Sequence, residues 1–152
     1  MEDIKSTCDK ALHIQKVVSD EDLQKCLNIR LKVFVEGQRV PIEEEVDGKD
    51  AESEHYLLFV NEEPVGVARV RHVEDFSKIE RVAILDKYQG RGLGHEIMKF
   101  ILSDLRSHST AKKVKLSSQT YAIPFYEKLG FMVCSDEYID ADISHKDMQL
   151  FF

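Results

Sequence analysis

Gln89-Gly90-Arg91-Gly92-Leu93-Gly94 stands between the strand-like run Ile79 to Leu85 and a segment in which Leu93, Ile97, Ile101 and Leu105 recur at helical spacing. A strand that passes through a glycine-rich turn into an amphipathic helix belongs to an α/β fold. The first backbone N–H groups of such a helix have no partner inside it and point at whatever approaches, so the turn is a place for phosphate. Glycines at alternate positions let the backbone come close to a pyrophosphate, and Arg91 adds a charge-assisted contact. The spacing lacks the third glycine of a dinucleotide fingerprint and the Gly-Lys-Ser/Thr of a P-loop. Taken alone, the segment reads equally well as a tight turn that needs positive φ.

On the N-terminal side, His13 to Val18 reads as a first strand. Ser19 followed by Asp22 starts a helix with Leu23, Leu27, Leu31 and Phe34 on one face, ended by Gly37 and Pro41. Tyr56 to Val60 and Val65 to Val70, separated by Asn61-Glu62-Glu63-Pro64, form an antiparallel hairpin that Ile79 to Leu85 continues. On the C-terminal side, Lys113 to Leu116 reads as a strand and Ala122 to Leu129 as a short helix stopped by Gly130. Phe131 to Cys134 and His145 to Phe151 read as the last strands. The order β-α-β-β-β-α-β-α-β-β describes one α/β domain over residues 1–152, built on a mixed sheet.

The 152 residues, 43% of them hydrophobic, suffice for one domain with a real core and not for two. No apolar run approaches the roughly 20 residues of a membrane span, and Met1 to Lys10 lacks the apolar core of a signal peptide, so a cytoplasmic protein without membrane partners is expected. Cys8, Cys26 and Cys134 suggest neither a disulfide framework nor a zinc site, and no metal is expected. The net charge of −7 argues against a nucleic-acid partner. Glu43, Glu44, Glu45, Asp47 and Asp50 read as a solvated acidic loop rather than a cation site.

The glycine turn gains meaning from what surrounds it. Gln89 to Gly94, preceded by Glu80-Arg81-Val82-Ala83-Ile84, resembles the Q/R-x-x-G-x-G/A pyrophosphate motif of the GNAT acetyltransferase superfamily. Ala122-Ile123-Pro124-Phe125-Tyr126-Glu127-Lys128-Leu129-Gly130-Phe131 resembles its A-x-x-F-Y-E-K-x-G-F segment, in the family's order and separation. Arg30, Val33-Phe34, the acidic loop, His55, Arg69 and His145-x-x-Met148 extend the likeness to the small ElaA-like and YjcF-like branch. Gln119 stands where many members carry Asn, and offers the same hydrogen bonds with longer reach. The resemblance implies a GNAT fold, a central mixed, mostly antiparallel twisted sheet flanked by helices. It also implies an N-acetyltransferase that moves an acetyl group directly from acetyl-CoA to a primary amine.

Acyl transfer to an amine needs a deprotonated nucleophile, a donor for the developing oxyanion and a proton source for the departing thiolate. By resemblance, Val82, Ala83, Ile84, Gln89, Gly90, Arg91, Gly92, Leu93, Gly94, Gln119, Phe125 and Tyr126 form the coenzyme A site. A backbone N–H of the strand polarises the acetyl carbonyl, and the Tyr126 phenol serves the thiolate. Tyr126 reads alternatively as a core residue with its hydroxyl on a backbone carbonyl. Glu80, with a pKa raised by burial, is the first candidate base, and an ion pair with Arg81 is its equal alternative. His55 comes next, with His145 as a further choice.

For the substrate, Arg30, Arg39, Arg69, Arg71 and Arg81 suggest an anion pocket, joined by His145. Together with the resemblance to glucosamine-phosphate acetyltransferases they point first to glucosamine 6-phosphate. The acidic stretch points instead to a polyamine or a protein lysine. A non-catalytic acyl-CoA sensor is the more distant alternative. The apolar end Met148 to Phe152 suits equally a last strand in its own sheet or pairing in a homodimer.

Overall fold

The computed structural model describes residues 11–152; residues 1–10, including Cys8 and the segment read above as free of a signal peptide's apolar core, lie outside the described residues. Eight strands form one sheet: β1 (Leu12–Lys16), β2 (Glu54–Val60), β3 (Glu63–Val73), β4 (Phe76–Ile84), β5 (Lys113–Gln119), β6 (Met132–Val133), β7 (Tyr138–Asp140) and β8 (Ile143–Phe151). Their order is β1-β2-β3-β4-β5-β8-β6, with β7 also on β8. Among the described residues, only β4 and β5 pair in parallel. The helices are α1 (Asp20–Arg30), α2 (Ile42–Glu45), α3 (Leu93–His108) and α4 (Ile123–Glu127).

The hairpin of β2 and β3 turns at Asn61 and Glu62, both at positive φ (51° and 69°), the conformation that matches the twist of the flanking strands. Helix α3 buries Ile97, Met98, Ile101, Leu102 and Leu105 against the sheet, a wider face than Ile97, Ile101 and Leu105 alone. They join Tyr56, Val70, Ile79, Val114, Leu116 and Met148 in the main core.

Several expectations need correction. Helix α1 ends at Arg30 and continues as a π-helical turn, Leu31–Gly37. Its buried residues are Cys26, Ile29 and Arg30, and Leu31 is exposed, so the face drawn through Leu23, Leu27 and Leu31 is rotated. The acidic stretch is not a solvated loop, because Glu45, Asp47 and Asp50 are all taken up by arginines. β7 has no counterpart among the strands expected from the sequence, because it is three residues long and has no apolar run. β8 pairs with β5 on one side and with β6 and β7 on the other, so the C-terminal strand lies inside its own sheet.

Two irregularities shape the centre of the molecule. β4 and β5 pair only from Phe76 opposite Lys113 to Ile79 opposite Leu116. Beyond that point Glu80 to Ile84 stays with β3 and Ser117 to Gln119 stays with β8, so the sheet opens into a wedge. The second is a bulge where Arg81 and Val82 together oppose Ala68, with Arg81 at φ 56°. In a regular pleat, Glu80 and Arg81 would face opposite ways. Here both reach the charge cluster of the acidic stretch, Glu80 through Arg69 and Arg81 through Glu45 and Asp47.

Candidate active site

The wedge holds a cleft of about 260 Å³. Glu80, Arg81 and Val82 line one wall, Ser117, Ser118 and Gln119 the other, and Tyr126, Ala122 and Tyr121 lie along the α4 side. Phe34, Gln38 and Glu44 enter from the segment after α1, and Asp140, Ile143 and His145 from the end of the sheet. Past Ile79 the β4 backbone has no strand partner on its β5 side, so peptide groups of this edge are open to a ligand.

Tyr126 is held by edge-on contacts with Phe125 (centroids 4.9 Å apart, 84° between planes) and Phe131 (6.1 Å, 77°). Its hydroxyl makes no hydrogen bond among the described residues, so the bond to a backbone carbonyl is not formed. Burial pushes the phenol up to about 12, which keeps its proton in place at neutral pH. A protonated phenol that is free to donate suits the neutralisation of a departing thiolate.

Glu80 departs from expectation. Its carboxylate accepts from Arg69 (Nη2, 2.7 Å) and from Arg71 (Nε, 2.8 Å), not from Arg81. Although burial opposes it, the hydrogen bonds and charge of Arg71 and Arg69 hold the carboxyl down to about 2. The raised pKa proposed for a base is thus reversed, and the ion-pair alternative holds with different partners.

The anion pocket also fails to form. Arg30 is buried and donates to Glu45 and Asp50, and Arg69 is wholly buried among Asp47, Asp50 and Glu80. Arg81 lines the cleft, yet it is paired to Glu45 (2.8 Å) and Asp47 (3.4 Å). Arg39 and Arg71 do not line the cleft.

The two histidines part company. His55 is buried on β2 away from the cleft, and its Nε2–H donates to the Asp50 carbonyl at 2.9 Å. His145 lines the cleft and its Nδ1–H donates to the Ile143 carbonyl at 2.7 Å. The Tyr138 ring stacks on it, 5.9 Å away and tilted by 18°.

The glycine turn is built to receive an anion. Gly90 (φ 78°) and Gly92 (φ 80°) are left-handed, and a Cβ on either would meet nothing, so the surface above them is open. Gly92 is the N-cap of α3, no side chain caps the helix, and the first intrahelical bond runs from Glu96 N–H to Gly92 O. The N–H groups of the first turn are therefore available. Arg91 lies over the Tyr88 ring at 4.9 Å and is exposed. Gln89 braces the turn by donating to Ile84 O and Asp86 Oδ1, and Leu93 packs on the core. Gly94 sits against Phe125, where a Cβ would lie 3.4 Å from the ring. Ala83 is buried, and Val82 and Ile84 flank it along the open edge. Gln119 donates to Gln38 Oε1 at 2.8 Å, a partnership with no signal in the sequence because Gln38 lies in the segment after the π-helical turn.

Residues 15–152 match the family described as acetyltransferase (GNAT) domain. The chain belongs to the GNAT acetyltransferase family. It is 39% identical over 131 residues to the uncharacterized N-acetyltransferase YjcF of Bacillus subtilis, covering 86% of this chain and 93% of that one. Its fold is similar to the crystal structure of Escherichia coli ElaA, with TM-score 0.83, 27% identity and coverage of 91% of this chain and 99% of that one. A GNAT family acetyltransferase from Elizabethkingia anophelis, solved with acetyl-CoA bound, shares the fold with TM-score 0.74 and 15% identity, covering 93% of this chain and 99% of that one. As a GNAT enzyme the chain is an acetyl-CoA-dependent N-acetyltransferase. The open β4 edge, the uncapped α3 start and the two left-handed glycines are the features that fit acetyl-CoA here. No described helix is long and apolar enough to cross a membrane.

Proposed function

We propose that this GNAT enzyme acetylates the primary amine of a small cationic molecule that carries no phosphate, such as a polyamine. One observation carries the reading: of the arginines expected to hold an anion, Arg30, Arg69, Arg71 and Arg81 are spent on internal carboxylates, and Arg39 lies outside the cleft. Among the described residues, the cleft is lined by four acidic side chains, Glu44, Glu45, Glu80 and Asp140, and two basic ones, Lys78 and Arg81. Glu44 and Asp140 have no cationic partner among the described residues, so the negative charge at the mouth is uncommitted. Such a rim attracts an ammonium and repels a phosphate, which removes the ground for glucosamine 6-phosphate.

Acetyl-CoA, seated on the glycine turn, supplies the acyl thioester. A backbone N–H at the β4 bulge donates to the carbonyl oxygen as charge develops on it. Tyr126 Oη–H, kept protonated before the reaction because burial pushes it up to about 12, donates to the leaving sulfur as negative charge develops there. The Tyr126 hydroxyl, directed to the cleft rather than to a protein partner, favours an enzyme over an acyl-CoA sensor, because it is free to meet the reacting atoms.

The test is to follow free-thiol release from acetyl-CoA in the presence of spermidine, a lysine-rich peptide, glucosamine and glucosamine 6-phosphate. Release with spermidine that exceeds release with either sugar supports the reading. Preference for the phosphorylated sugar over the unphosphorylated one contradicts it.

A further inference from the structure

We propose that His145 is the catalytic base that takes a proton from the substrate ammonium through Nε2. The inference rests on the acetyl-transfer reading above and adds the group that reading leaves open. Because a carbonyl only accepts, the Ile143 contact places the His145 proton on Nδ1 and leaves Nε2 with its lone pair free. Nε2 has no partner among the described residues, while the residue is 91% buried at the edge of the cleft. The ring cannot easily turn to satisfy it. Tyr138 stacks on its face, and the Tyr138 hydroxyl is itself held by Ser117 Oγ (2.7 Å) and by Asp147. A base oriented by one hydrogen bond and one stacked ring is the arrangement proton abstraction needs.

The two inner carboxylates of the cleft are occupied. Glu80 is held by Arg69 and Arg71, and Glu45 by Arg30 and Arg81. Glu44 and Asp140 lie exposed at the rim. The charged groups that face His145 across the cleft are therefore these four carboxylates with Lys78 and Arg81. Neighbouring Gln119, its partner on β5, is neutral, and Lys146 follows it on β8.

The ammonium loses one proton to Nε2, giving a neutral amine whose nitrogen lone pair attacks the acetyl carbon. The C–S bond breaks and the sulfur takes the Tyr126 proton. The acylated nitrogen loses its second proton, which restores the phenol, and His145 returns its proton to water. One proton is released per amide formed.

The experiment compares wild type with His145→Gln in two assays. In the first, amine-dependent thiol release at pH 7 falls about 100-fold or more with a strongly basic amine. The deficit shrinks to a few-fold with an alkoxyamine, which is already neutral at that pH. Unchanged acetyl-CoA stabilisation of the variant shows that it folds and binds. In the second, imidazole nitrogen NMR of the wild-type protein reads a bare Nε2 at His145 whose resonance moves on adding spermidine, a readout that does not depend on turnover or on the variant. Equal rates in both proteins, an equal deficit with both amines, or a proton found on Nε2 overturns the proposal. If wild type releases no thiol with any amine, the acetyl-transfer reading falls with it. If wild type turns over and only the His145 signatures are missing, this inference alone falls.

Discussion

Arg69 and Glu80 face each other across β3 and β4, and their side chains meet at 2.7 Å with the guanidinium wholly buried. Arg69 also holds Asp47 and Asp50, so this pair ties the acidic stretch to the sheet. Glu80→Gln takes one of three carboxylates from the buried Arg69 and leaves Arg71 without its partner. A loss of about 3 kcal/mol is expected, which thermal unfolding reads as a drop of roughly 6–12 °C in Tm.

The same cluster sets the acid response. The carboxyls of Glu80, Asp50 and Asp47 are all held below their ordinary values, Glu80 at about 2. A carboxyl with a depressed folded pKa contributes stability that is complete above its unfolded value of about 4 and is lost as pH falls toward the folded one. Denaturant unfolding should therefore show stability level from pH 7 to about pH 5 and falling between about 4 and 2. The slope should be shallower in Glu80→Gln.

Much of the fold was legible in the sequence, because β2, β3, β4 and α3 are apolar runs with clean periods and β3 and α3 lie in one core. The glycine turn was legible from residue type and spacing as either a phosphate site or a tight turn, and the role of the Tyr126 segment only through its resemblance to the GNAT motif. The role of the charges was not. Arg30, Arg69 and Arg81 looked like anion ligands, and their partners Glu45, Asp47 and Asp50 lie 15 to 36 positions away in a loop whose path no periodicity fixes. His145 and His55 looked alike in sequence. Only the carbonyl that each ring meets, and whether it borders the wedge, tells them apart.

Gly92→Asp separates binding from folding. A Cβ at this position meets nothing, and Asp tolerates the left-handed backbone better than most residues, so the folding cost should stay near about 1 kcal/mol. The added carboxylate would stand at the uncapped start of α3, where the pyrophosphate is expected. Acetyl-CoA affinity, read by titration calorimetry or thermal shift, should fall at least about tenfold.

Asp140→Asn probes the cleft mouth. An exposed charge facing an ammonium contributes up to about 1 kcal/mol, so KM for spermidine should rise about two- to fivefold with kcat little changed. The difference should narrow at high salt, as screening predicts. KM for acetyl-CoA should stay where it is.

The most direct test is thiol release from acetyl-CoA with spermidine, comparing wild type and Tyr126→Phe at equal acetyl-CoA saturation. The hydroxyl has no structural partner among the described residues, so its removal should leave Tm and acetyl-CoA stabilisation unchanged. Turnover by wild type that falls about 100-fold in the variant is the predicted result. A variant that turns over as fast as wild type would contradict the assignment of Tyr126 as the acid and, with it, this reading of the cleft.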